Sequence, residues 1–309
     1  IALQWDQAFF IAESLYRTRN AGSNWYALPY FAGRSWRGIR DLAIGASGEI
    51  YGAGSEFTTK STNGGRSWTD LSTPSSRLDV VGSDYVWAAG DHALYRSRDG
   101  GKTWLTSSAM LQVDFINPYE GWGIRRNSIY KSSDGGTSWR EVLNGSNNEY
   151  AQAEFLDVFI LDALRGWVLA SEPAQYYGSH AFAVLTTDGG ETWQRGESAM
   201  WGGAFGFQGR LHFISQSDGW LAGYRKEEST ACSVLSRTTD GGHTWQPSGP
   251  QNCSAYPGLD FEGYRDLDFE GANGWVVGNN GAILHTADGG TSWNEFHYEP
   301  ATDLWSVEV

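Results

Sequence analysis

Basic side chains are scarce in this sequence. Lys and Arg total 22 against 36 Asp and Glu, a formal net charge of −14. Binding to nucleic acid or an anionic membrane needs a basic face that displaces counterions, so neither is expected of this chain. Long hydrophobic runs are also lacking. None approaches the roughly 18 residues that a membrane-spanning helix requires, so no membrane insertion is expected. No secretory leader stands before Ile1 and the chain opens without Met, which suggests a processed or trimmed product. The six histidines show no ligand spacing, and no glycine-rich loop leads from a strand into a helix. Neither zinc nor a nucleotide is indicated, and no cofactor is expected. What the chain has in excess is glycine, 40 residues, and tryptophan, 16 residues. Such aromatic content marks a packed protein and not a disordered one.

The glycines and tryptophans fall into a repeat. Ser61-Thr-Asn-Gly-Gly-Arg-Ser-Trp68, Ser97-Arg-Asp-Gly-Gly-Lys-Thr-Trp104 and Ser132-Ser-Asp-Gly-Gly-Thr-Ser-Trp139 share one pattern. Thr186-Thr-Asp-Gly-Gly-Glu-Thr-Trp193, Thr238-Thr-Asp-Gly-Gly-His-Thr-Trp245 and Thr286-Ala-Asp-Gly-Gly-Thr-Ser-Trp293 continue it. Thr18-Arg-Asn-Ala-Gly-Ser-Asn-Trp25 is a degenerate copy. Asp-Gly between two β-rich runs is a tight-turn signal, because glycine accepts positive φ and the Asp side chain can bond backbone N–H groups two residues on. The closing Trp is expected to pack on the hairpin's own layer.

Alternating runs such as Ala282-Ile-Leu-His-Thr286 precede the turns and read as strands. Further upstream stand Gly-Trp pairs (Gly121-Trp122, Gly166-Trp167, Gly219-Trp220, Gly274-Trp275), and before them another strand, as in Arg265–Phe269 or Arg77–Val81. Each unit is therefore a four-stranded antiparallel sheet (a to d, with the box as the c–d turn). Four-stranded units at this period are propeller blades. Successive box tryptophans lie 35 to 54 residues apart, and the head through Trp25 and the tail after Trp293 together amount to about one more blade. The fold class is all-β, a seven-bladed propeller formed by residues 1–309 as a single domain. The terminal segments would share one blade, with Asp303–Val309 as its innermost strand and Leu3-Gln-Trp5 as the competing candidate.

The pattern Ser/Thr-x-Asp-Gly-Gly-x-Thr/Ser-Trp resembles the Asp-box, or BNR repeat. The unit Gly274–Trp293 is particularly similar to the photosystem II stability/assembly-factor family. The resemblance implies a structural role for Asn63, Asp99, Asp134, Asp188, Asp240 and Asp288, none of them catalytic. It further implies a non-catalytic binding or assembly module whose partner is a membrane-protein complex or the extramembrane tail of a subunit. Asp-boxes also occur in sialidases and xyloglucan-cleaving glycosidases, so a secreted glycoside hydrolase is the competing class. A sialidase-like chain should carry Arg-Ile-Pro near its start, which is missing here. Fold likeness alone does not assign an activity.

Insertions have a preferred side. The a–b and c–d turns lie on one face of a propeller, the b–c and d–a connections on the other. Longer segments at 144–150, 171–180, 196–207, 224–230 and 256–260 all belong to the second face, over blades four to six. Long loops on a rigid scaffold are where ligands usually bind. Their aromatics, Tyr150, Tyr176, Tyr177, Trp201, Phe205, Phe207 and Tyr256, together with Trp36, can stack on a sugar or anchor a protein. On the same face, Arg40, Arg77, Arg210 and Arg265 each open an innermost strand. They would form an anion-binding mouth for a carboxylate or an acidic segment, unless each pairs with a neighbouring acid such as Asp41, Asp79 or Asp266. The alternating oxygens of Asp266-Leu-Asp-Phe-Glu-Gly271 mimic a calcium loop, but they align with a strand and lack the later Glu, so no metal is expected.

Folding the chain about the turn at Asp240 brings Cys232 opposite about residue 251, close to Cys253, and a disulfide is expected. A bridge of this kind implies an oxidising, extracytoplasmic compartment, whether secreted, periplasmic or thylakoid-lumenal. Asn144-Gly-Ser and Asn252-Cys-Ser are glycosylation sequons, a pattern that chance produces readily.

Overall fold

In a computed structural model, the described residues are 7–12, 14–28, 39–54, 57–71, 75, 77–90, 92–173, 179–200, 207–226, 231–250, 253–254, 263–298 and 302–309. They form seven antiparallel sheets, each with four strands in the order a-b-c-d; the sixth carries one further short strand. The innermost strands are Ser306–Glu308 (blade one), Ile39–Ile44, Arg77–Val81, Gln112–Phe115, Glu154–Ile160, Phe207–Phe213 and Tyr264–Glu270 (blade seven). Each touches the next, and blade seven touches blade one, so the ring is closed. In blade one the C-terminal strand pairs antiparallel with Ala8–Ile11, with Phe10 opposite Val307. Trp305 N–H donates to the Ile11 carbonyl at 2.7 Å and extends this seam.

The boxes form the c–d turns. In blade five, the Thr186 hydroxyl donates to Asp188 Oδ1 at 2.8 Å. It also accepts the N–H groups of Asp188 and Gly190. Asp188 then accepts the Thr192 N–H at 2.9 Å and the Thr192 hydroxyl at 2.6 Å. That hydroxyl bond, then the backbone N–H and the Thr186 hydroxyl, hold the carboxyl down at about 2. Asp99, Asp134, Asp240 and Asp288 repeat the arrangement. Asn63 keeps the Oδ1 bonds, and its amide donates to the Ser67 hydroxyl.

A second set of tryptophans, outside the boxes, joins neighbouring blades. The strand-b tryptophans Trp87, Trp122, Trp167, Trp220 and Trp275 are almost fully buried, and each lies under the box of the following blade. Trp87 stacks on Phe115 of blade four at 3.8 Å and donates its indole N–H to the Gly135 carbonyl of that blade's box. Trp167 does the same with Phe213 and Gly241 of blade six. The Gly-Trp pair follows from this packing. A Cβ on Gly219 would stand 2.4 Å from the Phe213 ring that Trp167 stacks on. The core is thus a series of aromatic joints between blades.

Blade five departs from the expected loop boundaries. Its outer strand runs from Gln194 to Met200, so part of the segment read as the 196–207 connection is paired sheet. Strand c of blade six, Ala231–Thr238, is bridged by the disulfide Cys232–Cys253, which holds the short strand Cys253–Ser254 on its edge.

Candidate functional site

The box glycines bond the a–b turns of their own blades, as in Gly135 N–H to Tyr119 O and Gly189 N–H to Leu164 O. Boxes and a–b turns therefore share one face, and the innermost strands begin on the other. Arg40, Arg77 and Arg265 sit at or next to those beginnings, whereas Arg210 lies midway along Phe207–Phe213 and does not open its strand; all four line one cavity of about 320 Å³. The sequence-derived constellation is brought together in space. It surrounds Trp305, which sequence reading placed only in a closure strand. The Arg40 guanidinium lies 4.2 Å from the Trp305 ring centroid and that of Arg265 lies 3.9 Å from it. Stacking a guanidinium on an indole contributes about 0.5–2 kcal/mol and leaves the edge donors free for an anion.

Partners differ among the four. Arg265 bonds Asn279 and pairs with Asp303 at 3.1 Å. Arg210 stands 3.7 Å from Asp157 and 3.5 Å from Asp266. Arg77 is half-buried, with Asp41 and Arg210 nearby; desolvation first, and then the Arg210 charge, lower its pKa. Arg40 is exposed and has no ion pair among the described residues. Tyr224, Tyr264 and Glu154 complete the wall, and Glu154 is the one carboxylate among the described lining residues.

Below the mouth the channel is acidic, and its carboxylates join neighbouring blades. Leu78 N–H donates to Asp41 at 2.6 Å, Phe115 N–H to Asp79 at 2.7 Å, Ile160 N–H to Asp114 at 2.5 Å and Leu211 N–H to Asp157 at 2.8 Å. Val307 N–H donates to Asp266 and Val309 N–H to Asp268, both at 3.0 Å. Between blades six and seven Arg210 stands 3.5 Å from Asp266, and His212 Nδ1 lies 3.2 Å from Asp268 Oδ1. Leu42 N–H donates to the Ser306 hydroxyl and completes the circuit. Every blade junction thus has a side-chain rung.

Register sorts the rungs into levels. Asp79, Asp114, His212 and Asp268 face the strand-b tryptophans, whereas Asp41, Arg77, Asp157, Arg210 and Asp266 lie nearer the mouth. Burial dominates their protonation. It raises Asp41 to about 6 against the pull of Arg77 and Arg210, and Asp114 to about 7. Burial also raises Asp157 and Asp266. Asp79 and Glu308 rise through burial and then through the charges of Asp114 and Asp268 respectively. Sequence reading named Asp41, Asp79 and Asp266 as pairing partners for the arginines, and Asp266 also as the start of a discounted calcium-loop mimic. Their bonds to the next blade were missed. The recurrence of Asp at alternate positions of the inner strands was the available signal.

Other expectations fare unevenly. Trp36, Trp201, Tyr176, Tyr177, Phe205 and Tyr256 lie outside the described residues, as does the side chain of Phe207. Tyr150 is corrected. It is 2% exposed and packs on Phe155 and Phe182, so it is core and not a ligand platform. A groove of about 500 Å³ near the boxes of blades six and seven is lined mostly by Thr, Ser, Gly and Pro around Trp293. Among the described residues, no group of three or more His, Cys, Asp and Glu is arranged to hold a metal ion, and no helix is long and apolar enough to cross a membrane.

Comparison with known proteins supports this architecture. Residues 207–302 match the family model described as Photosynthesis system II assembly factor YCF48, and residues 184–195 match the BNR/Asp-box repeat. The Photosystem II assembly lipoprotein Ycf48 of Synechococcus sp. (strain CC9902) is 32% identical over 85 residues, covering 27% of this chain and 22% of that protein. The matching stretch thus spans about a fifth of that relative's length. The solved structure of YCF48 bound to D1 peptide superposes with a TM-score of 0.57 at 14% identity, covering 91% of this chain and 93% of that one. An ancestral GH74 enzyme gives a TM-score of 0.56 at 13% identity, covering 95% of this chain and 53% of its own. At such identities the structural likeness establishes the fold alone. The chain is a BNR-repeat propeller like the photosystem II assembly factors.

Proposed function

We propose that this propeller is a non-catalytic binding and assembly module that captures an anionic, extramembrane protein segment at the arginine-lined mouth opposite its boxes. The observation that carries this reading is the convergence of Arg40, Arg77, Arg210 and Arg265 around Trp305 in one cavity. Bidentate guanidinium donors match carboxylates, and the Trp305 indole beside Arg40 and Arg265 adds apolar surface for the segment's side chains. The match to the YCF48 family model favours an assembly role, and the relative solved with a D1 peptide is itself a peptide binder. On this reading residues 1–309 act as one propeller in an extracytoplasmic compartment, where the Cys232–Cys253 bridge would persist.

A glycosidase in the same mouth would need a pair of carboxyls flanking the scissile bond. Glu154 alone among the described lining residues does not supply that pair. The test is fluorescence anisotropy with a labelled D1 peptide, alongside a reducing-sugar assay on a polysaccharide panel. Arg40→Glu with Arg265→Glu should weaken peptide capture at least tenfold, about 1.4 kcal/mol or more, with no sugar released. Reproducible hydrolysis abolished by Glu154→Gln would replace this reading with the enzymatic one.

A further inference from the structure

Arg210 lines both the mouth cavity and the channel beneath it. Its guanidinium is shared between Asp157 at 3.7 Å and Asp266 at 3.5 Å, distances that leave both as loose ion pairs and not as tight forks. Arg77, opposite in the ring, feels the same acids and Asp41. An anion entering the mouth therefore competes with these three carboxylates for two guanidinium groups. Asp41, Asp157 and Asp266 each hold one oxygen on a backbone N–H of the next blade, so a proton taken up at the other oxygen compensates for the lost guanidinium and leaves the rung in place.

We infer that anion binding at the mouth is coupled to proton uptake by the channel carboxylates, with Arg77 and Arg210 as the exchanged partners, so that affinity for an anionic segment rises as pH falls. This rests on the mouth being the binding site. The sign follows from charge balance: each carboxylate that takes a proton frees guanidinium hydrogen-bonding capacity for the ligand, and binding pulls protons in by linkage.

All inner strands contribute to the field. Blades two and three bring Arg40, Asp41, Arg77 and Asp79; blades four and five bring Asp114, Glu154 and Asp157. Blades six, seven and one add Arg210, His212, Arg265, Asp266, Asp268 and Glu308. Carboxylates outnumber cations, so the channel is where added protons are best accommodated. Among the three acids that face Arg77 and Arg210, burial raises Asp41 to about 6 and also raises Asp157 and Asp266.

Sulfate is the probe, since its charge does not change across the range. Isothermal calorimetry in buffers of different ionisation heat should show about half a proton taken up per sulfate near pH 6.5, and affinity should rise roughly five- to tenfold from about pH 8 to 6. The Asp157→Asn, Asp266→Asn double variant keeps an acceptor for Leu211 and Val307 and mimics the protonated pair. It should bind sulfate at pH 8 about as tightly as the parent does at pH 6, with its pH dependence flattened. Binding that needs Arg40 and Arg265 yet shows no proton uptake overturns the coupling and leaves the mouth as the site. No sulfate binding at any pH in this range overturns both. Calorimetry on the unaltered protein decides the matter even if the double variant does not fold.

Discussion

Ala21 is where the degenerate first box shows its cost. It occupies the position held by glycine in the other six copies and adopts φ of 48°, close to the 64–77° of Gly64, Gly100, Gly135, Gly189, Gly241 and Gly289. An L-residue in the left-handed region pays for the approach of its Cβ to the carbonyl, about 1–2 kcal/mol. The rest of the box is intact, with Thr18 bonding Asn20 and Asn20 accepting the Asn24 N–H at 2.9 Å. Ala21→Gly should therefore stabilise the protein by about 1 kcal/mol, after the greater unfolded-state freedom of glycine is set against the relieved strain. A urea denaturation series reads this directly. An unchanged or lower midpoint would mean that the turn bears no strain.

The strands and boxes were legible because their information is local. Asp-Gly-Gly fixes a turn, and the Gly-Trp pair marks the strand that packs beneath the next box. The four arginines were legible for a related reason: aligning repeats puts Arg40, Arg77, Arg210 and Arg265 on equivalent strands, although Arg210 lies midway along its own. Their shared cavity follows from radial closure. The recurring inner-strand Asp was legible, but the bonds it makes to the next blade were not. Asp114 bonding Ile160 depends on the register between blades, which no repeat period encodes. Tyr150 was misread because its Asn-rich surroundings look like an exposed loop, although its ring packs between Phe155 and Phe182. The strand pair in blade six carries the prediction proper to this scale. The Cys232–Cys253 bridge closes a loop with a sequence separation of 21 residues, and a loop of that length contributes about 3 kcal/mol on the chain-entropy account. Cys232→Ala with Cys253→Ala should lower the unfolding free energy by about that amount. A thiol reductant should then have no further effect on the variant. Equal stability of variant and parent would show that the edge strand holds without its covalent tie.

Closure makes the whole molecule respond to pH in two opposed ways. The box carboxyls are held near 2 by hydroxyl and backbone donors, below the ordinary 3.8. A depressed folded pKa gives stability that is present above the unfolded value and lost as pH falls towards 2. The channel carboxyls are displaced the other way, Asp41 to about 6 and Asp114 to about 7, with Asp79, Asp157, Asp266 and Glu308 also raised. For these the fold favours the protonated form. Their contribution is complete below the unfolded value and drains away as pH climbs through about 6 to 7. The excess of acidic over basic residues adds self-repulsion in the same direction as more carboxyls ionise. Stability should therefore peak at about pH 4–5 and fall on both sides, with a thermal midpoint distinctly higher at about pH 5 than at pH 8. Asp114→Asn, which removes one buried charge while retaining an acceptor for Ile160, should flatten the alkaline limb. Scanning calorimetry across that range tests both. A midpoint that rises from pH 5 to 8 would mean that the channel acids are ionised in the folded ring, with the seven blades held together in spite of their charge and not by its suppression.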